Sequence, residues 1–109
     1  MQIQLLSQPT QQAVPNFLGY VKRRLGFALG RFADRIGRVT VRLSDVNGPR
    51  GGVDQRCQLI VAVQRRPPVI VEAADVHAHA ALDHAAERAA RAVDRSLKRV
   101  ADRRLDTGT

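Results

Sequence analysis

Three histidines and two aspartates lie close together in the stretch DVHAHAALDH, residues 75–84. Imidazole nitrogens bind zinc, copper and nickel, so these residue types could form a metal site. Two ligands on one helix are best placed four residues apart, whereas the gaps among His77, His79 and His84 are two, five and seven. The spacing favours a helix start instead, with Asp75 as its cap and the histidines in or near the first turn. We expect no metal and no other cofactor.

Two further features could carry chemistry, and both favour a structural interpretation. Cys57 falls on the apolar side of a predicted strand, where a thiol is usually inert packing. The stretch NGPRGG presents Arg50 and could touch a phosphate. It lacks the Gly-Lys-Ser/Thr ending of a nucleotide-binding loop, and it separates two strands, so a tight connector is favoured. Paired carboxylates and serine–histidine spacings do not stand out, and we expect no enzyme.

The charge of the chain predicts an anionic partner. The 109 residues carry 18 Lys and Arg against 10 Asp and Glu, a formal net charge of +8, and all but two of the basic residues are arginine. Arginine's planar fork suits phosphate. No apolar run approaches the ~20 residues needed to span a bilayer, and the start MQIQLLSQ does not resemble a signal peptide. We therefore expect a cytoplasmic protein with neither a membrane nor a small-molecule substrate as its partner.

Hydrophobic periodicity predicts the order strand, helix, three strands, helix. Residues 2–6 indicate a short strand, and Pro15 marks the start of a helix. Three runs with a period of two follow, at residues 38–43, 57–63 and 69–73. The apolar stripe of the first helix is predicted to comprise Leu18, Val21, Leu25, Leu29 and Phe32.

Residues 77–104 contain neither Gly nor Pro and predict a long final helix. Its predicted apolar stripe comprises Leu82, Ala85 or Ala86, Ala89, Val93, Leu97 and Val100. The economical packing is an α+β sandwich, β-α-β-β-β-α, with two helices on one face of a four-stranded, mostly antiparallel sheet. We expect residues 1–109 to form one domain, with a flexible tail at 104–109.

Both helices are predicted to carry basic residues away from their apolar stripes. In the first, Tyr20, Arg24, Phe27 and Arg31 fall on that side. Arginine interleaved with aromatic residues is typical of RNA-binding surfaces. The alternatives are that the final helix has an ordinary solvated face with pairs such as Glu87 with Arg91, and that Tyr20 and Phe27 pack on a neighbouring element or a second subunit.

The element order and several motifs resemble the ribosome hibernation-promoting factor family, also called RaiA-like or sigma-54 modulation proteins. The motifs are Phe32-Ala33-Asp34-Arg35-Ile36, the glycine-rich loop with Asp54 and Cys57, and Ala80-Ala81-Leu82-Asp83. The resemblance covers roughly residues 2–104. It implies a protein that binds rRNA of the small ribosomal subunit near the decoding centre and inhibits translation by occupancy. It also implies a short form, without the pairing domain of long members, that is a monomer when bound.

The resemblance places the family's basic helix positions on residues of both predicted helices. These are Lys22, Arg23, Arg24, Arg31, Arg35, Arg88, Arg91, Arg95, Lys98 and Arg99. The alternative function is a small basic interaction protein that binds an acidic partner or dimerises through the exposed aromatics of its first helix. Salt-dependent affinity for rRNA in preference to an acidic polypeptide would separate the two.

Overall fold

The computed structural model describes residues 1–7, 16–45 and 55–107, with side chains at positions 1–6, 16–45 and 55–99. The elements are strand β1 (Gln2–Ser7), helix α1 (Phe17–Leu29), a 3₁₀ helix (Gly30–Arg35), strands β2 (Ile36–Asp45), β3 (Gln55–Val63) and β4 (Val69–Asp75), and helix α2 (Ala78–Thr107). The predicted glycine-rich loop with Arg50 and Asp54 and the predicted helix start at Pro15 lie outside the described residues.

The four strands form one sheet in the order β1-β2-β3-β4. β1 runs parallel to β2, with Gln2 opposite Arg38 and Leu5 opposite Val41. The β2–β3 and β3–β4 pairs are antiparallel. The register of β2 against β3 shifts between Ile36 and Val39, an irregularity that lets both side chains stay buried. The predicted α+β fold is confirmed.

Both helices lie on the same face of this sheet, because the period-two pattern gives it one apolar face. Helix α2 contacts β3, β4 and α1. The strand residues that point into the core are Val39, Val41 and Leu43 of β2 and Cys57, Leu59, Val61 and Val63 of β3, with Ala73 of β4. The opposite face of the sheet has no covering element among the described residues and carries Arg38, Arg42 and Ile70, which are exposed.

The buried stripe of α2 agrees with prediction over most of its length. Leu82 and Val93 are fully buried, and Leu97 packs partly against the core. Small residues fill the rest of this stripe, namely Ala78, Ala81, Ala85, Ala86 and Ala89. Alanines allow close approach of the helix to the sheet and to α1. The side chain of Val100, predicted to end the stripe, is outside the described side chains.

The stripe of α1 differs from prediction at its first residue. Leu18 is 43% exposed, and Phe17 occupies the core position instead. Val21, Leu25 and Leu29 are fully buried, as predicted. Phe32 is also in the core, but it lies in the 3₁₀ helix that follows α1. Both residues at the helix start are apolar, so hydrophobic periodicity alone could not decide which one faces the core.

Candidate nucleic-acid interface

Helix α2 presents its predicted basic residues to solvent. Arg88, Arg91, Arg95, Lys98 and Arg99 are all exposed. They recur at intervals of three or four residues, which places them on neighbouring turns of the helix surface away from Leu82 and Val93. Lys98 Nζ lies 3.1 Å from Asp94 Oδ2 within the same helix. Exposed pairs of this kind contribute little to stability, so the face remains available to an external anion.

One basic residue of this face, Arg88, also contacts the sheet. Its Nη1 donates a hydrogen bond to the backbone oxygen of Glu72, which lies in the edge strand β4. The contact ties the middle of α2 to the sheet. A substitution at Arg88 would therefore disturb local packing as well as surface charge.

Helix α1 exposes Lys22, Arg23 and Arg31, and Arg35 is exposed at the end of the 3₁₀ helix. Phe27 lies between Arg23 and Arg31 at intervals of four residues, and its side chain is 87% exposed. Arg31 sits 4.5 Å from the ring centre of Phe32, a cation–π contact that orients its guanidinium. An exposed aromatic ring flanked by arginines offers stacking and phosphate contact on one surface.

Tyr20 and Arg24 do not lie on this free surface, contrary to the sequence-based expectation. The Tyr20 hydroxyl donates a hydrogen bond to Asp83 Oδ1 at 2.6 Å, and Arg24 Nε donates to the same oxygen at 3.2 Å. Arg24 NH2 also lies 3.5 Å from Glu87 Oε1. These residues join α1 to α2, so the alternative in which Tyr20 packs on a neighbouring element is confirmed. Glu87 pairs with Arg24 of the other helix.

The contact between the helices changes the chemistry of Tyr20. The hydrogen bond to the Asp83 carboxylate, partial burial and the negative charge of Asp83 all raise the pKa of the hydroxyl above its ordinary value of 10.0. Arg24 opposes this effect in part. Tyr20 therefore stays a neutral donor, and Asp83 is occupied by two donors from α1.

The three histidines take three separate positions. Asp75 Oδ1 accepts a hydrogen bond from the His77 backbone N–H at 3.1 Å, and the His77 oxygen accepts the Ala81 N–H at 3.0 Å, which makes His77 the first residue of the helical hydrogen-bond pattern. His79 makes edge contacts with the rings of Phe17 and Tyr20, at 5.3 and 4.4 Å between ring centres.

His84 points back toward the same aspartate, with Nε2 3.7 Å from Asp75 Oδ2. Among the described residues, no group of three or more His, Cys, Asp or Glu side chains is placed to hold a metal ion. Asp75 was predicted to cap this helix, and that prediction is wrong in position: its side chain accepts the N–H of His77, which precedes α2, so it forms a turn before the helix instead of capping the first-turn N–H groups. The histidines serve the helix start and its packing on α1.

Cys57 is fully buried in β3, as predicted, and burial raises the pKa of its thiol from 9.0 to about 12. In the folded protein the thiol thus keeps its proton at a pH where the unfolded chain has lost it. The ionisation of Cys57 therefore leaves the free energy of unfolding unchanged below pH 9 and lowers it as the pH rises from about 9 toward 12. We expect the urea midpoint to fall over that range, and to fall less in a Cys57→Ala variant.

The raised pKa of Tyr20 also lowers the urea midpoint as the pH rises above 10. Because Tyr20 is present in both proteins, this part of the fall is the same in the wild type and in the Cys57→Ala variant. Identical midpoint-against-pH curves for the two proteins would contradict the thiol's role. As an independent check, the native thiol should react with a disulfide reagent at pH 8 only after denaturation.

The structure also shows basic residues that sequence reasoning did not select. Arg66, in the β3–β4 turn, lies beside Arg95 and Arg99 of α2 and lines a cleft with them. No local pattern could have indicated this, because the turn and the helix are brought together only by the packing of α2 on the sheet. In the sequence, the run Arg65-Arg66-Pro67-Pro68 indicates only an interruption between the second and third period-two runs.

Comparison with known proteins bears on the fold. No family model matches the sequence, and no curated protein matches it. Among solved structures, the amino-terminal domain of Protein Y from Thermus thermophilus is similar with a TM-score of 0.70 and 26% identity, covering 87% of this chain and 98% of that one. The resemblance to the hibernation-promoting factor family is confirmed.

A ribosomal subunit interface protein from Coxiella burnetii has a similar fold, with a TM-score of 0.67 over 89% of this chain and 99% of that one. Its 12% identity supports similarity of fold alone. In this fold, α1, the 3₁₀ helix and α2 together place nine of the ten predicted basic residues on exposed positions, and Arg24 alone is half-buried between α1 and α2.

No helix in the described part of the chain is long and apolar enough to cross a membrane.

Proposed function

We propose that the protein binds the small ribosomal subunit near the decoding centre and inhibits translation by occupying that site. The observation that carries the proposal is the similarity to the Protein Y domain over 87% of the chain, combined with basic residues exposed along both helices. The Coxiella neighbour, which has a similar fold, is named as a ribosomal subunit interface protein, so a ribosomal partner is compatible with this fold. Such a protein works in the cytoplasm, as a monomer, and needs neither catalysis nor a cofactor.

The residues proposed to contact rRNA are those on the solvent faces of the two helices. They are Lys22, Arg23, Arg31 and Arg35 on the α1 side and Arg88, Arg91, Arg95, Lys98 and Arg99 on α2. Arg24, also predicted to contact rRNA, is left out of this set because Asp83 and Glu87 hold its guanidinium between the helices. Phosphate contacts of this kind fix position on the RNA without reading its sequence. Charge is therefore expected to matter more than base identity.

Co-sedimentation with isolated ribosomal subunits tests the proposal. The wild-type protein should pellet with small subunits at low salt and dissociate steeply as salt is raised, because each neutralised phosphate releases counterions. It should also inhibit translation in a cell-free assay at the concentrations at which it binds. Absence of small-subunit binding at low salt would sink the proposal.

A second candidate rests on the exposure of Phe27, which is 87% exposed on a helix that could meet another protein. In that case the protein binds an acidic polypeptide, or dimerises through α1. Light scattering of the purified protein would reveal a dimer that Phe27→Ala dissociates. Competition between poly-glutamate and small subunits would reveal a preference for acidic protein.

A further inference from the structure

A basic cleft lies between the β3–β4 turn and the carboxy-terminal half of α2. Its volume is about 380 Å³, which is enough for a phosphate group and its neighbouring atoms. The turn contributes one wall and α2 the other. The lining residues are Arg66, Pro67, Pro68, Val69, Ala92, Arg95, Ser96 and Arg99.

The charge of this cleft has one sign. Arg66, Arg95 and Arg99 are three basic residues in its lining, and the lining contains no acidic residue. None of the ion pairs found between described side chains involves these three arginines. Three cations that line one cleft without an ion-pair partner among the described side chains repel one another, and an anion between them would relieve that repulsion. The Ser96 hydroxyl adds a neutral donor.

Arg66 supplies an independent indication that a partner is missing. Its Nε is buried from solvent and has no hydrogen-bond partner, and within the described part of the chain it is the one buried side-chain nitrogen or oxygen in that condition. Burying a donor without an acceptor is unfavourable. Arg66 nevertheless keeps this nitrogen buried while the residue lines the cleft.

The backbone of the turn holds Arg66 in this place. The Arg66 N–H donates to the Val63 oxygen at 3.2 Å and closes a four-residue turn. Arg65, the third residue of the turn, has a φ of 63°, in the left-handed region where glycine or asparagine is usual. Pro67 and Pro68 follow and restrict the chain on the other side. Arg66 thus stands between a residue with a left-handed backbone conformation and two prolines, and both restrict the backbone conformation at Arg66.

We propose that Arg66, Arg95 and Arg99 bind one backbone phosphate of RNA in this cleft. The inference deepens the proposed ribosomal function, on which it rests for the source of the phosphate. It extends the interface from the helices to the β3–β4 turn and adds Arg66 as an RNA-contacting residue. The planar fork of arginine can bind two phosphate oxygens at once, so the geometry of Arg66 matters as well as its charge.

The first arm of the test is an NMR titration of the wild-type protein, observing the guanidinium resonances. Inorganic phosphate and a short RNA duplex are added separately at low salt. We expect the RNA to shift the Arg66, Arg95 and Arg99 signals at a lower phosphate concentration than inorganic phosphate does. Shifts with inorganic phosphate and none with RNA would overturn the proposal, because the cleft would then serve a free anion.

The second arm compares variants in the small-subunit binding assay. Arg66→Ala should lower affinity about tenfold and flatten the salt slope by just under one unit, as expected for one lost phosphate contact. Arg66→Lys, which keeps the charge and loses the fork, should recover only part of the affinity. The matched control is Arg42→Ala, which removes the same charge from the open face of the sheet and should change neither quantity.

The two arms separate this inference from the proposed function. If folded Arg66→Ala and Arg42→Ala variants bind small subunits equally well, the proposed phosphate site in the cleft is refuted, while the proposed ribosomal function is unaffected. Wild-type protein that ignores ribosomal subunits, while RNA still shifts the Arg66 signal and Arg66→Ala abolishes RNA binding, would support the cleft and refute the ribosomal function.

Discussion

Alanine at both Arg91 and Arg95 is expected to lower the affinity for small ribosomal subunits about 100-fold at low salt, since each charge-assisted phosphate contact is worth roughly a factor of ten. Both side chains are exposed on α2, and neither takes part in an ion pair between described residues. The salt slope should flatten by up to about two units. Co-sedimentation across a salt series measures both quantities, and inhibition of cell-free translation should fall in parallel.

The matched control for this pair is Arg38→Ala with Arg42→Ala. It removes the same two charges from exposed positions on β2, on the face of the sheet away from the helices. If the interface lies on the helices, the control should bind nearly as the wild type does. Equal losses in the two double variants would show that net charge alone governs binding, and the helix-face mechanism would be refuted.

Leu82→Ala is expected to lower the free energy of unfolding by ~2–5 kcal/mol. Leu82 is a fully buried residue of α2 that belongs to the hydrophobic core, so its truncation leaves a cavity. Urea unfolding followed by circular dichroism measures the change, with an unchanged slope as evidence that the transition remains two-state.

Leu18→Ala is the matched control for the core prediction, because it makes the same chemical change at a side chain that is 43% exposed. Its cost should stay below about 1 kcal/mol. A loss at Leu18 as large as the loss at Leu82 would mean that Leu18, and not Phe17, packs into the core.

The elements of this fold could be predicted because their local patterns are regular. Val39, Val41 and Leu43 alternate with polar residues, and all three are buried. Residues 77–104 contain neither Gly nor Pro, and this predicted the long final helix, α2. The parallel pairing of β1 with β2 could not be predicted from the alternation of apolar and polar residues. Alternation indicates which face of a strand is buried, but it does not indicate the neighbouring strand or its direction.

The candidate interface was predictable only in part, for a similar reason. Exposure of Arg91 and Arg95 follows from helix periodicity. Tyr20 and Asp83 are separated by 63 positions in sequence, so their hydrogen bond depends on how α1 packs against α2. The same holds for Arg66, which reaches Arg95 and Arg99 only because α2 crosses the sheet beside the β3–β4 turn.

The parallel alignment of β1 also governs the order in which the chain can assemble. Strands β2, β3 and β4 are consecutive antiparallel neighbours, so each can pair with the one made just before it. β1 must wait for α1 to be made and for β2 to follow it, because a parallel pair requires a crossover between its strands. On a chain synthesised from its amino terminus, β1 emerges before its partner and cannot pair with β2 until residue 36 and beyond have appeared. Until then, Ile3 and Leu5 lack the core residues against which they pack in the folded protein. Because β1 and β2 are far apart in sequence, we expect their pairing to be slower than the formation of the β2–β3 and β3–β4 hairpins.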